Sequence, residues 1–193
     1  MESRGKMATR DICYIAVSVA LIAVCSWLSF RVEPLAYTFQ LLAVLFCAGL
    51  LGWWRALIAV AAYVLLGLVG VPVFAGFTSG IMAPTRGYVI GFLFTVVIVG
   101  LAYKIDFKNE NAKVAFVLNL IVRAAAMVLG VAVCYAFGTG WFILYMSSVQ
   151  SAAYTVWEAL GLCVIPYLWF DAVKIVVALI LVEALKKAVK VRA

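Results

Sequence analysis

The chain has 193 residues, of which 68% are hydrophobic and 12% charged, against about half and about a quarter in an ordinary soluble domain. Lipid is therefore the expected solvent, and at roughly 20 apolar residues per spanning helix this length accommodates about six helices in a single integral membrane domain. The net charge of +7 does not point to nucleic acid, because the basic residues gather at the ends of apolar runs, and five scattered cysteines without a histidine offer no zinc ligand set.

In chain order, apolar runs predict spans at Ile12–Phe30, Leu35–Gly52, Trp54–Val71, Gly87–Tyr103, Ala112–Phe137 and Leu162–Leu185. The expected fold is an all-α bundle of six transmembrane helices. The basic, then apolar, start has the general form of a signal peptide. Its run is too long and lacks a clear small-x-small cleavage site, so it is read as a retained first helix. Within it, Ala16 and Ala20 form a small-x-x-x-small pair that lets another helix approach closely.

Two segments depart from this pattern. Pro72–Arg86 carries two prolines and two glycines and is expected to form an ordered outer loop. Tyr145–Glu158 is moderately polar and reads as a short interfacial helix or a loop. Either segment is placed to cover an outward-facing pocket.

Threading six helices from an inside N-terminus puts Arg4, Lys6, Arg10, Arg55, Lys104, Lys108, Lys113, Lys186, Lys187, Lys190 and Arg192 on one face. The other face receives only Arg31 and Arg86, so both termini are predicted to be cytoplasmic. Arg123, Asp171 and Lys174 then fall inside spans, where ionisable groups are costly and usually face a cavity or a partner.

Four blocks resemble the BioY family of biotin transporters, the substrate-binding S components of energy-coupling-factor (ECF) importers. They are Glu33–Gly52 (EPLAYTFQLLAVLFCAGLLG), Tyr63–Gly80 (YVLLGLVGVPVFAGFTSG), Pro84–Phe92 (PTRGYVIGF) and Ile165–Lys174 (IPYLWFDAVK). This sequence departs from the family in a less proline-rich opening at Glu33–Gln40 and in Arg86, where a small residue is common.

The resemblance implies biotin as transported ligand: an apolar ring, a ureido group with two N–H donors and one acceptor, and a carboxylate. Asp171 and Lys174, three residues apart, share one helix face and can neutralise each other in an empty pocket. Asp171 can accept from a ureido N–H, and Lys174 can donate to the ureido oxygen or the carboxylate. Gln40 and Thr38 are candidates for neutral hydrogen bonds, Tyr88 and Phe74 for stacking, Arg86 for the carboxylate, and Arg123 for a place in the pocket or a pairing with Asp171.

The resemblance also implies docking of Ala16 and Ala20 on a transmembrane coupling subunit, with two cytoplasmic ATPases as further partners. The chain itself has no G-x-x-x-x-G-K-[ST] loop, and no enzyme activity, cofactor or metal is expected of it. The competing readings are an S component for another vitamin and a carrier working without ATPase partners.

Overall fold

Backbone groups in an apolar chain must satisfy one another, and a helix does so within a single segment. The computed structural model describes residues 8–32, 35–80 and 82–186 and is mostly helical. Arg4, Lys6, Lys187, Lys190 and Arg192 of the charge count, and Glu33 and Pro34 of the first block, lie outside the described residues. The α-helices are α1 (Thr9–Trp27), α2 (Gln40–Leu51), α3 (Trp53–Leu68), α4 (Arg86–Ala102), α5 (Ala112–Val149), α6 (Val156–Cys163) and α7 (Leu168–Lys186).

Helices three and four fall where apolar patterning puts them, and the described residues of the Pro72–Arg86 segment are non-helical as far as Thr85. Elsewhere the structure corrects the expected spans. The first helix stops at Trp27, and the second starts only at Gln40. Between them lies an antiparallel hairpin, β1 (Ser29–Val32) and β2 (Leu35–Thr38), paired from Ser29↔Thr38 to Val32↔Leu35. The fold is mostly helical, as expected, with this short hairpin as an addition to it. Pro34 removes a helical donor and biases its predecessor to extended backbone, so an apolar stretch that passes a hydropathy count folds as strands.

The fifth helix runs on to Val149 for a total of 38 residues. Gly138 does not end it, because it serves packing: a Cβ there would collide with the Tyr88 ring. Its buried face continues through Phe142 and Met146. The expected last span is split into α6, a 3-10 turn at Ile165–Tyr167 and α7, with Pro166 as the breaker. Thr155 starts α6 with a capping box, accepting from Glu158 N while Thr155 N donates to Glu158 Oε2 at 2.8 Å.

Among the described residues, two helices, α1 and α5, are long and apolar enough to cross a membrane by length and composition. Helices α2, α3 and α4 are apolar but span 12, 16 and 17 residues. Helix α7 has 19 residues and carries Asp171, Lys174, Glu183 and Lys186. The six expected spans thus correspond to six long helices of unequal reach.

Small residues bring α4 and α5 close together. A Cβ at Gly91 would lie 2.9 Å from Cys134 Cα, and one at Gly130 would lie 3.0 Å from Thr95 Cγ2. Thr95 Oγ1 bonds the Gly130 carbonyl at 2.8 Å across the same seam. Helix α2 meets α7 where Gly49 faces Val182. The buried pair Asp11–Arg55, at 3.0 Å, ties α1 to α3.

Helices α5 and α7 are joined by side-chain bridges. Between Phe116, Leu120, Val176 and Ile180 they part around an apolar groove.

The close α4/α5 contact makes a measurable demand. Gly91→Ala should destabilise the protein by about 1–3 kcal/mol, since the added methyl meets backbone that cannot rotate away. Gly140→Ala, in the partner helix α5 but facing open space, should be neutral or stabilising by about 0.5–1 kcal/mol. Thermal unfolding of both variants in detergent checks the contrast, and equal melting temperatures would refute the contact.

Candidate ligand-binding site

A cavity of about 740 Å³, its open mouth included, lies among β2, the 72–86 loop, α2, α4, α5, α6 and α7. Leu41, Val89, Phe92 and Val131 supply apolar wall. Seven of the residues singled out by sequence also line it: Thr38, Gln40, Phe74, Arg86, Tyr88, Asp171 and Lys174.

Asp171 and Lys174 sit in the first two turns of α7, both buried. Lys174 Nζ donates to Asp171 Oδ1 at 2.5 Å, and its ammonium stands 4.2 Å from the centre of the Phe170 ring, an attractive cation–π position. Asp171 Oδ2 accepts from the Tyr135 hydroxyl. Both carboxylate oxygens are therefore engaged, as a charge in an apolar bundle requires.

Gln40 Nε2 donates to Tyr63 Oη at 2.9 Å, and that hydroxyl donates on to the Val73 carbonyl at 2.9 Å. This relay joins the start of α2 to the root of the 72–86 loop. Phe74 is 1% exposed; its ring fills the space left by Gly67 and meets Tyr63 edge-on at 5.5 Å. Tyr88 donates to the Cys163 carbonyl at 3.2 Å, so its hydroxyl fastens α4 to α6 while its ring lines the cavity. Thr38 is the last residue of β2 and lines the cavity.

Arg86, 4% exposed, bonds the loop rather than a carboxylate. Its Nε donates to Gly80 O at 2.7 Å, and its Nη2 to Thr78 Oγ1 at 2.9 Å and Ser79 O at 3.3 Å.

Arg123 does not line the cavity. Its guanidinium pairs with Glu183 at 2.8 Å and Asp106 at 3.6 Å and stands 5.0 Å from the Tyr103 ring centre. Contrary to the sequence reading, it reaches neither the pocket nor Asp171: it faces α7 two turns and more beyond Lys174, where Glu183 stands.

Tyr135 is the site residue that sequence reasoning missed. Its one signal was a tyrosine mid-span, whose hydroxyl needs a partner when buried. Tyr167 and Cys163 also line the cavity; Tyr167 stacks on Tyr37 at 4.3 Å, and Tyr37 donates to the Pro166 carbonyl at 3.0 Å. Those contacts hold the β2 strand to the break between α6 and α7. Among the described residues no group of three or more His, Cys, Asp or Glu is arranged to hold a metal ion.

The arrangement offers an apolar chamber with a paired carboxylate and ammonium, an amide, a tyrosine hydroxyl and a guanidinium. It suits a largely apolar molecule that carries both hydrogen-bond donors and acceptors.

The BioY family model matches residues 1–191. A biotin transporter BioY of Thermotoga maritima is 33% identical, over 92% of this chain and 96% of its own length. A probable biotin transporter BioY of Pyrococcus horikoshii is 29% identical, over 93% of this chain and 98% of its own. The fold is that of a crystal structure of the S-component for biotin from an ECF-type ABC transporter, with a TM-score of 0.75 at 23% identity over 94% of this chain and 95% of that one. A match over nearly the whole chain, to one family and one fold, makes this protein a member of the BioY family.

Proposed function

We propose that this chain is the substrate-specific membrane subunit of an ECF transporter and takes up biotin through the cavity described above. The observation that carries the reading is the buried Asp171–Lys174 pair on the cavity wall. An anionic acceptor and a cationic donor 2.5 Å apart match a ureido group, which presents N–H donors and a carbonyl acceptor side by side. The relatives named as biotin transporters point to the same ligand.

In this reading the ureido group meets Asp171 and Lys174, while Phe74, Tyr88 and the apolar wall enclose the ring. Gln40 and Thr38 offer neutral hydrogen bonds, and Arg86 faces the carboxylate. The chain supplies binding and no catalysis, and needs no cofactor. A single integral membrane domain in the cell membrane, with six spans and both termini cytoplasmic, follows from the Lys and Arg asymmetry.

Ala16 and Ala20 stand exposed on α1, opposite the face that buries Ile15, Ser18 and Ile22. A transmembrane coupling subunit can approach closely there, and two cytoplasmic ATPases complete the importer.

Calorimetry of the purified protein with biotin, riboflavin and thiamine tests the ligand; heat from biotin alone is expected, and no biotin binding sinks the proposal. Asp171→Asn should weaken biotin about ten- to a hundredfold, because a hydrogen bond to a charged group is worth about 1.5–3 kcal/mol. Lys174→Ala should cost at least as much, since it strands the carboxylate. Arg123→Lys, away from the cavity, should leave affinity unchanged. Normal binding by folded Asp171→Asn and Lys174→Ala proteins would remove the site.

Replacing Ala16 and Ala20 together by leucine should abolish co-purification with the coupling subunit and spare biotin binding. Undiminished co-purification would remove the docking face. For topology, a cysteine placed at Asn109, between α4 and α5, should resist an impermeant thiol reagent added to intact cells. Labelling there would overturn the cytoplasmic assignment of that loop.

A further inference from the structure

Helices α5 and α7 run antiparallel, since Tyr135 meets Asp171 at one level and Arg123 meets Glu183 at another. The groove between them is lined by apolar side chains of both helices and by Glu183. That carboxylate is turned to Arg123 at 2.8 Å, so the wall of the groove is hydrocarbon. Phe116, Ile121, Val176 and Ile180 are each more than half exposed within it. A cleft of this kind in a bilayer is filled from the lipid, because apolar walls hold no water and a gap forfeits dispersion contacts on both sides. From Phe116 to Ala124 it follows α5 for about 12 Å at 1.5 Å per residue. One leaflet contributes roughly 15 Å to a hydrocarbon core of about 30 Å, so the groove fits within a single leaflet.

Both walls end in a lysine at the same end of the bundle. Residues three and four apart share a helix face, so Lys113 continues the line of Phe116, Leu120 and Ala124 on α5, and Lys186 that of Leu179 and Glu183 on α7. Lys113 is exposed. Lys186 stands 5.0 Å from the centre of the Tyr103 ring, and its ammonium makes no hydrogen bond or ion pair with a described residue. The carboxylates nearby, Glu183 and Asp106, are both engaged by Arg123.

We propose that the α5/α7 groove seats one phospholipid, with an acyl chain along the groove and the phosphate at Lys113 and Lys186. The two ends set the ligand class: hydrocarbon for the cleft and a phosphodiester for the cations. A phosphate gives the Lys186 ammonium the acceptor that the described residues do not, in a bond stronger than one between neutral groups. The acyl chain supplies the contacts that α5 and α7 lose where they part. This rests on the membrane reading of the chain, and neither on biotin nor on which side the termini face.

The test is native mass spectrometry of the delipidated protein titrated with dioleoyl phosphatidylglycerol, dioleoyl phosphatidylethanolamine and dioleoylglycerol, reading the Kd of the first lipid bound. Both phospholipids should bind about tenfold more tightly than dioleoylglycerol or better, the factor that a hydrogen bond to a charged group is worth. Lys113→Gln combined with Lys186→Gln should erase that difference and leave dioleoylglycerol unchanged. Ala124→Trp fills the groove and should abolish the first binding step for all three lipids. Leu118→Trp, exposed on the same helix but off the groove, should change none of them.

Equal Kd values for phospholipids and dioleoylglycerol would overturn the proposal, as would a lysine double variant that matches wild type. Tight binding of phosphatidylglycerol alone would also overturn it, since that is attraction of net charge without a seat for phosphate. Equal behaviour of the two tryptophan variants would reduce the groove to unspecific lipid contact. Dimers that Ala124→Trp disrupts, with no tight first lipid, would give the groove to a second copy of this chain instead. If Ala124→Trp does not fold, the lysine variant and the headgroup comparison decide. The groove is separate from the cavity, so failure of the wild type to bind biotin sinks the transport reading and leaves this titration decisive.

Discussion

A carboxylate and an ammonium can be held inside an apolar bundle only if each is neutralised and each has its hydrogen bonds made. Asp171 and Lys174 meet that demand in the first two turns of α7, with Tyr135 closing the second carboxylate oxygen and Phe170 lying against the ammonium. Replacing such a pair by well-packed apolar side chains is often neutral or stabilising. Its presence therefore asks for a reason other than stability, and an adjoining cavity with the right chemistry provides one. The rest of the architecture keeps this pair in place: α5 brings Tyr135, α2 brings Gln40, and the break at Pro166 points the start of α7 into the chamber.

The close approach of α4 and α5 serves the same end from the other side. Gly91 and Gly130 remove the side chains that would hold these helices apart, and the contact sets Tyr88 and Tyr135 edge to face at 6.4 Å. A ring wall of this kind is rigid, since each hydroxyl is tied to a different element: Tyr88 to the Cys163 carbonyl and Tyr135 to Asp171. The 72–86 loop, in contrast, is irregular backbone with Phe77 at a positive φ of 58°, a conformation uncommon for a residue other than glycine. Side chains from α1, α3, α4 and α5 hold it in shape.

Much of this was legible from residue types. Pro72 and Pro84 with Gly76 and Gly80 announce the loop, and apolar runs give α4 to within one residue and α3 to within three. Asp171 and Lys174 stand out because ions are expensive at membrane depth. The hairpin was not legible, because Leu35–Thr38 is apolar enough to be counted into a helix and four residues are too few to reveal a period of two.

The extension of α5 was hidden for a related reason. Gly138 and Gly140 look like a stop, and only the Tyr88 ring shows that Gly138 is there to make room. Arg123 marks the limit of depth arguments: hydropathy places a residue along a span but not around it, so its pairing with Glu183 and Asp106 required the packed bundle.

The bridge between Tyr135 and Asp171 has a consequence for the connection of the helices themselves. Helices α5 and α7 are tied at two levels, by Tyr135–Asp171 beside the cavity and by Arg123–Glu183 nearer the chain end of α7, with an apolar groove between the helices lined by Leu120 and Ile180. A carboxylate oxygen accepts more than one hydrogen bond, so a molecule that donates to Asp171 can share the carboxylate with the tyrosine. One carboxylate therefore serves both the tie between α5 and α7 and the cavity wall, so a change at Tyr135 reaches the packing of the two helices and the acceptor offered to the chamber together.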